Sequence, residues 1–372
     1  MNSQRCLTLI PLLIAAGLTG LLLRWADATC AQVPPTQPPS PVVAAAIVTD
    51  TDRMIWDAIG INPGDDMYAD VAYNSQDGEY LVVFEWPDVD GGPGRDLASI
   101  RVEADGQSAL SPYSVARSND YTDTRPAVAY NPTDNSYLAV WEHLGTSGDK
   151  EIYGAILNAS GIVSGSELPI TYWAGDQEYP DVAYATDAGR YLVVWQDDYT
   201  AWANRPDIYG LSVDSLGSDG KYASITGIDA PGDQTRPAVA TNGANGRWLV
   251  TWRDSRNSGT TGDDIYGQQV EFSESGTTIE LWGSQVVVGA LPGWARALDV
   301  AWGQVGSGDG EFLAVWSEDE ALYARRVQAD NTLPGDVIAV SDADCYKYVP
   351  AVAFDPAENT WWTVWADNRE KG

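Results

Sequence analysis

Six Val-Ala steps of this chain recur at a near-regular spacing, Val71-Ala72, Val128-Ala129, Val182-Ala183, Val239-Ala240, Val300-Ala301 and Val352-Ala353, at intervals of 57, 54, 57, 61 and 52 residues. A repeat of this size constrains architecture before any side chain constrains chemistry. One unit cannot bury its own apolar face, so each must stack on the next.

The third copy shows the unit most fully. Four short strand patterns follow in order: Pro180-Asp-Val-Ala-Tyr184, Tyr191-Leu-Val-Val-Trp195, Asp207-Ile-Tyr-Gly210 and Ala223-Ser-Ile-Thr226. The second pattern returns as Tyr80-Leu-Val-Val-Phe84, Tyr137-Leu-Ala-Val-Trp141, Trp248-Leu-Val-Thr-Trp252, Phe312-Leu-Ala-Val-Trp316 and Trp361-Trp-Thr-Val-Trp365. A sheet with one wet face would alternate apolar and polar residues, so these continuous apolar runs predict strands covered on both faces. The third pattern, Glu151-Ile-Tyr-Gly154, Asp207-Ile-Tyr-Gly210 and Asp264-Ile-Tyr-Gly267, ends on glycine. Glycine inside a strand marks close backbone approach, and the prolines at 126, 180, 237 and 350 suit strand entries where no ladder donor is lost.

The two ends of the chain complement each other. The last copy contains only its first two strand patterns, whereas residues 43–68 align with the third and fourth patterns of other copies. An all-β, six-bladed β-propeller with four-stranded blades is therefore expected over residues 43–372. C-terminal strands one and two and N-terminal strands three and four would form its composite closing blade, leaving no long exposed edge. The Pro-x-Val-Ala-Tyr, Tyr-Leu-Val-Val-Trp and Asp-Ile-Tyr-Gly patterns resemble the repeats of secreted and cell-surface bacterial propeller proteins, and more distantly those of TolB and WD40-like propellers. That resemblance implies a scaffold, adhesin, lectin-like module or enzyme domain. The chain lacks the Ser-x-Asp-x-Gly-x-Thr-Trp box of sialidase propellers.

Residues 1–31 read as a signal peptide, with a basic start, an apolar run over 7–23 and small residues near 26–31. Residues 32–42 form a proline-rich linker. A secreted or cell-surface location follows, with no membrane partner once the signal is cleaved. Of three cysteines, Cys6, Cys30 and Cys345, cleavage after Ala31 leaves Cys345 as a lone thiol, while cleavage after Ala28 would permit a Cys30–Cys345 bridge. The formal charge of -32 argues against nucleic acid, which demands a basic patch.

Composition narrows the chemistry further. His143 is the single histidine, and it is expected in a loop. Nucleophile-elbow, zincin, phosphate-loop and dinucleotide motifs are all absent. Asp88, Asp90 and Asp96 in the loop between strands two and three offer oxygens to a hard cation, so calcium is the one cofactor considered. Tyr68, Arg125, Tyr179, Arg236 and Arg296 precede innermost strands and predict a ligand-binding collar of planar hydrogen bonding and ring stacking. The competing expectation for the arginines is pairing with acids such as Glu142 or Asp254. The reading these features favour is a non-enzymatic recognition or adhesion propeller that binds an extracellular glycan or protein through an acidic, aromatic face. The alternatives are a self-assembling structural subunit of a surface layer and a glycoside-acting enzyme.

Overall fold

The computed structural model describes residues 43–45, 68–87, 94–104, 110–117, 121–145, 148–198, 205–217, 219–227, 230–243, 246–273, 278–305, 310–342 and 345–367. The signal and linker assignments, Cys30 and the strand assignment over 46–67 lie outside the described residues. All regular elements within them are strands, and none is a helix long and apolar enough to cross a membrane.

The Val-Ala copies form the first strands of successive sheets: Ala69–Asn74, Thr122–Asn131, Gln177–Ala185, Gln234–Thr241, Gly293–Gly303 and Lys347–Asp355. Each pairs antiparallel with an apolar second strand, namely Glu79–Pro87, Ser136–Leu144, Arg190–Asp197, Arg247–Asp254, Glu311–Glu318 and Thr360–Asp367. Third strands follow at Arg95–Glu103, Lys150–Asn158, Asp207–Asp214, Gly262–Phe272 and Ala321–Gln328. Outer fourth strands lie at Tyr113–Ala116, Leu168–Pro169, Asp219–Ser224, Ile279–Gly289 and Ile338–Ala339. First strands of consecutive sheets pack against one another, so the narrow Val-Ala edge of each sheet faces inward, as in a β-propeller.

Burial follows the sequence pattern. Leu81, Val83, Leu138, Val140, Leu192, Val194, Leu313 and Val315 are all fully covered. The tryptophans that close these strands are covered too, and burying an indole requires a partner for its N–H. Trp141 donates to Asp123 (2.9 Å), Trp252 to Asp254 (2.8 Å) and Trp316 to Glu318 (2.9 Å). In the first sheet Phe84 stands at the same place and needs none. The expected close approach at the third-strand glycines is met as well: a Cβ on Gly154 would lie 3.1 Å from the Ala139 carbonyl oxygen.

Along the inner edge an alternation appears. Asp70, Asp181 and Asp299, in the first, third and fifth sheets, each accept the N–H of the following valine at 2.8 Å. Their other oxygens accept the N–H of the corresponding valine one sheet on: Val128 (2.7 Å), Val239 (2.7 Å) and Val352 (2.8 Å). Alanine occupies that position in the second, fourth and sixth sheets, as Ala127, Ala238 and Ala351.

The last sheet differs from expectation in one respect. Val43–Ala45 does lie beside Thr360–Asp367, but in parallel register, Val43 opposite Trp361 and Ala45 opposite Thr363. A third strand continuing the meander would run antiparallel, as it does in the other five sheets. Three parallel residues occupy part of the edge without reproducing that strand.

The fourth and fifth sheets are also tied directly, through parallel pairing of Gly262–Asp263 with Gly293–Trp294. Gly262 has φ +90, and a Cβ there would sit 1.8 Å from the Gly293 carbonyl oxygen. Only glycine meets both demands. Gly262→Ala is expected to lower stability by at least about 2 kcal/mol in urea unfolding, while Gly259→Ala, with open space around its Cβ, stays within about 0.5 kcal/mol.

Candidate functional site

The first strands begin earlier than their prolines suggest. Pairing in the second sheet starts at Thr122 and is broken by a bulge between Thr124 and Ala127, with equivalent bulges at Glu178/Asp181 and Thr235/Ala238. At the heart of each bulge a non-glycine residue takes the left-handed conformation: Arg125 (φ 51), Tyr179 (φ 54) and Arg236 (φ 53). Such a conformation is costly for these side chains and persists only when surrounding contacts over-determine it. Proline, lacking an N–H, fits the next position without losing a ladder bond.

The bulge turns one backbone N–H out of the ladder, and that donor must be satisfied. A side chain from the preceding sheet does so. Glu85 Oε1 accepts from Arg125 N (3.0 Å), Glu142 Oε1 from Tyr179 N (2.9 Å) and Gln196 Oε1 from Arg236 N (3.1 Å). Three collar residues are thereby held side by side across consecutive sheets. The Arg125 guanidinium lies over the rings of Tyr68 (4.1 Å) and Tyr179 (4.3 Å), and that of Arg236 over Tyr179 (4.7 Å). Arg125 Nη2 also donates to the Tyr68 hydroxyl at 2.9 Å. Four of the five predicted collar residues therefore form one alternating stack. Arg296 stands apart from it, exposed, over the Tyr346 ring at 5.2 Å. Tyr346 in turn packs beside Tyr348, with ring centroids 6.4 Å apart.

Pairing with acids is the outcome for one arginine only. Arg125 Nε meets Glu142 at 3.3 Å, whereas Asp254 is taken by Arg256. Among the described residues Arg236 and Arg296 have no carboxylate within ion-pair reach.

Beneath the stack, the strand-two residue that follows the aromatic changes sign around the collar. In the first sheet Glu85 pairs with Arg95 at 3.2 Å, and in the second Glu142 pairs with Lys150 at 3.1 Å. Lys150 also reaches Glu178. Neutral Gln196 follows in the third sheet. In the fourth, Arg253 stands at the acidic position and Asp263 at the basic one, 3.4 Å apart, on the same diagonal of the strand register. The acidic face is thus interrupted at one pair: Arg253 with Asp263 reverses the polarity of the first two sheets, while Asp233, Asp254 and Asp264 keep their negative charge close to Asp263. Burial raises the carboxyl groups of Glu85 and Glu142 above the ordinary range, against the opposing pull of the bulge N–H groups and the nearby Arg and Lys charges.

Other candidates resolve differently. Asp88 and Asp90 lie outside the described residues, and Asp96 is buried in a third strand. No group of three or more His, Cys, Asp or Glu able to hold a metal occurs among the described residues. His143 is not in a loop; it lies in strand Ser136–Leu144 because the ladder continues past Trp141 on both sides, with His143 opposite Asp123 and Glu151. Its Nδ1 sits 2.7 Å from Asp123, and its ring packs between Tyr121 and Tyr153. Burial opposes its charge, but Asp123, Glu167 and Glu151 outweigh that and raise its pKa. Cys345 carries a thiol rather than a disulfide, and Lys347 donates to it at 3.1 Å.

No family model and no curated protein matches the chain. Solved structures do. The Trypanosoma rangeli sialidase in complex with the inhibitor DANA superposes with TM-score 0.54 at 12% identity, covering 81% of this chain and 52% of that one. A Hadza microbial sialidase gives TM-score 0.53 at 10% identity, covering 80% and 65%. The GH93 α-L-arabinofuranosidase of Fusarium graminearum with arabinobiose gives 0.54 at 12%, covering 78% and 85%. The chain thus spans between half and two thirds of the two sialidases. These likenesses establish the β-propeller fold. They also count against the expectation of a non-enzymatic recognition module, since the sialidases and the arabinofuranosidase that share this fold are glycosidases.

Glu142→Leu would leave the Tyr179 N–H without its acceptor and Arg125 without its carboxylate, while Lys150 keeps Glu178, so a loss of about 1–3 kcal/mol is expected in urea unfolding. Glu142→Gln keeps the Oε1 acceptor and should cost clearly less.

Proposed function

We propose that this chain is an exported glycoside-acting enzyme on a six-bladed propeller, and that its collar takes a saccharide bearing a carboxylate. The sign reversal from Glu85 and Glu142 to Arg253 carries this reading. In a chain with 53 acidic side chains, two collar arginines that find no carboxylate among the described residues supply what a planar anion needs. The glycosidases of like fold support the reaction class, and the stacked rings of Tyr68 and Tyr179 suit sugar recognition. Arg236, Arg253 and Arg296 would hold the carboxylate. Glu142 and Glu85, whose ionisation burial opposes, are the collar carboxyls suited to proton donation.

Closure by the N-terminal segment belongs to the same proposal. It is supported by the place of Val43–Ala45 beside the last strand and by Asp70, Asp181 and Asp299 acting electrostatically on one another across non-adjacent sheets.

The test is a panel of chromogenic glycosides, carboxylate-bearing and neutral. Turnover of carboxylate-bearing members is expected, with Arg236→Ala raising KM at least about tenfold and Glu142→Gln lowering kcat about a hundredfold or more. The proton-donor role further requires kcat to fall as pH rises past the raised carboxyl range. No turnover across the panel, or equal turnover of neutral and anionic members in both variants, would contradict the proposal.

A further inference from the structure

Asp70, Asp181 and Asp299 do nothing in the proposed chemistry, yet their arrangement is the most regular polar feature of the inner edge. Each carboxylate staples its own sheet to the next, and the pairs so formed are first with second, third with fourth and fifth with sixth. No aspartate makes the corresponding bond from the second sheet to the third or from the fourth to the fifth, where Ala127 and Ala238 stand instead. The six sheets thus fall into three stapled pairs.

The electrical setting of the staples is unusual. Across the ladder each aspartate faces a valine, Asp70 opposite Val83, Asp181 opposite Val194 and Asp299 opposite Val315. Their partners in the next sheet are backbone N–H groups of valines. Among the described residues no Lys, Arg or His forms an ion pair with any of the three. The charged groups acting on them are one another: Asp70 and Asp299 on Asp181, and Asp70 on Asp299. The three side chains are half-buried at the inner edge, surrounded by protein yet open on one side, and a carboxylate so placed without a counter-charge, facing like charges, resists ionisation. Two accepted N–H bonds per group pull the other way without reversing the balance.

We propose that these three aspartates are a proton-operated clasp on the propeller axis, holding the paired sheets most firmly in acidic surroundings and loosening them as the groups ionise. Burial raises Asp70 to about 6 and Asp299 to about 7, and places Asp181 well above its ordinary value. The folded chain therefore binds protons that the unfolded chain has released. The clasp's contribution is complete below the ordinary carboxylate range and is lost as pH rises toward neutrality. The inference does not depend on the glycosidase reading, because it concerns stability and not turnover.

The overall negative charge also weakens a folded protein as pH rises, so the test must separate the two effects. Melting of the full chain is followed between about pH 5 and pH 8 for wild type, for Asp70→Asn/Asp181→Asn/Asp299→Asn, and for a control that removes three exposed acids, Glu103→Gln/Glu280→Gln/Asp336→Asn. Wild type and control are expected to lose more than about 5 °C over that range, while the triple asparagine variant loses less than half as much. Equal slopes in all three would overturn the proposal. Should the triple variant not fold, the three single Asn variants are compared instead. Each is expected to remove part of the slope, and three slopes equal to wild type would overturn the proposal in the same way.

Discussion

The structure depends on how it satisfies backbone N–H groups at the crowded inner edge, where sheets meet and the ladder cannot supply every acceptor. A buried donor left unpaired costs about as much as several good contacts contribute. Side chains from a neighbouring sheet take the task in two rows. The axial row uses Asp70, Asp181 and Asp299 on valine N–H groups. The upper row uses Glu85, Glu142 and Gln196 on the N–H groups that the bulges expose. Each bond is at once a backbone requirement and a joint between sheets, so the repeat cannot vary at these positions without altering the joints.

The upper row also builds the collar. The left-handed bulge residue has its N–H fixed from below and its side chain stacked on the neighbours, which is how Tyr68, Arg125, Tyr179 and Arg236 come into register. In the fourth sheet Arg253 replaces the acceptor, and Arg296, in the bulge between Ala295 and Ala297 of the fifth, lies over Tyr346 instead of joining the stack. The proposed saccharide site lies at this break in the repeat. A position doing only structural work could have kept glutamate or glutamine throughout, whereas the reversed pair of Arg253 with Asp263 keeps the ion pair and changes the field.

The repeat, the strand order and the buried aromatics were legible because apolar periodicity and turn spacing report burial directly. Arg125, Tyr179 and Arg236 were legible too, because each stands directly before the proline of its first strand. Other features needed the aligned copies to be read for difference and not for likeness. The Asp/Ala alternation before Val-Ala is plain in Asp70, Ala127, Asp181, Ala238, Asp299 and Ala351, but its meaning rests on an N–H one sheet away, which no local pattern encodes. The series Glu85, Glu142, Gln196, Arg253 was equally visible, and acidic neighbours such as Asp254, Asp263 and Asp264 masked its one basic member. The bulges were hidden because proline reads as a strand start.

The central claim is that the sign of the Arg253 position decides what the collar accepts. It is tested most directly by calorimetric titration of a uronic acid, with its neutral hexose as reference, into wild type and into Arg253→Glu/Asp263→Arg, which keeps the pair but restores the polarity of the first two sheets. The account predicts that the wild type binds the acid in preference to the hexose. In the swapped protein, with its melting temperature within about 2 °C of wild type, that preference falls at least about tenfold. Undiminished binding of the uronic acid by a folded swapped protein would contradict it.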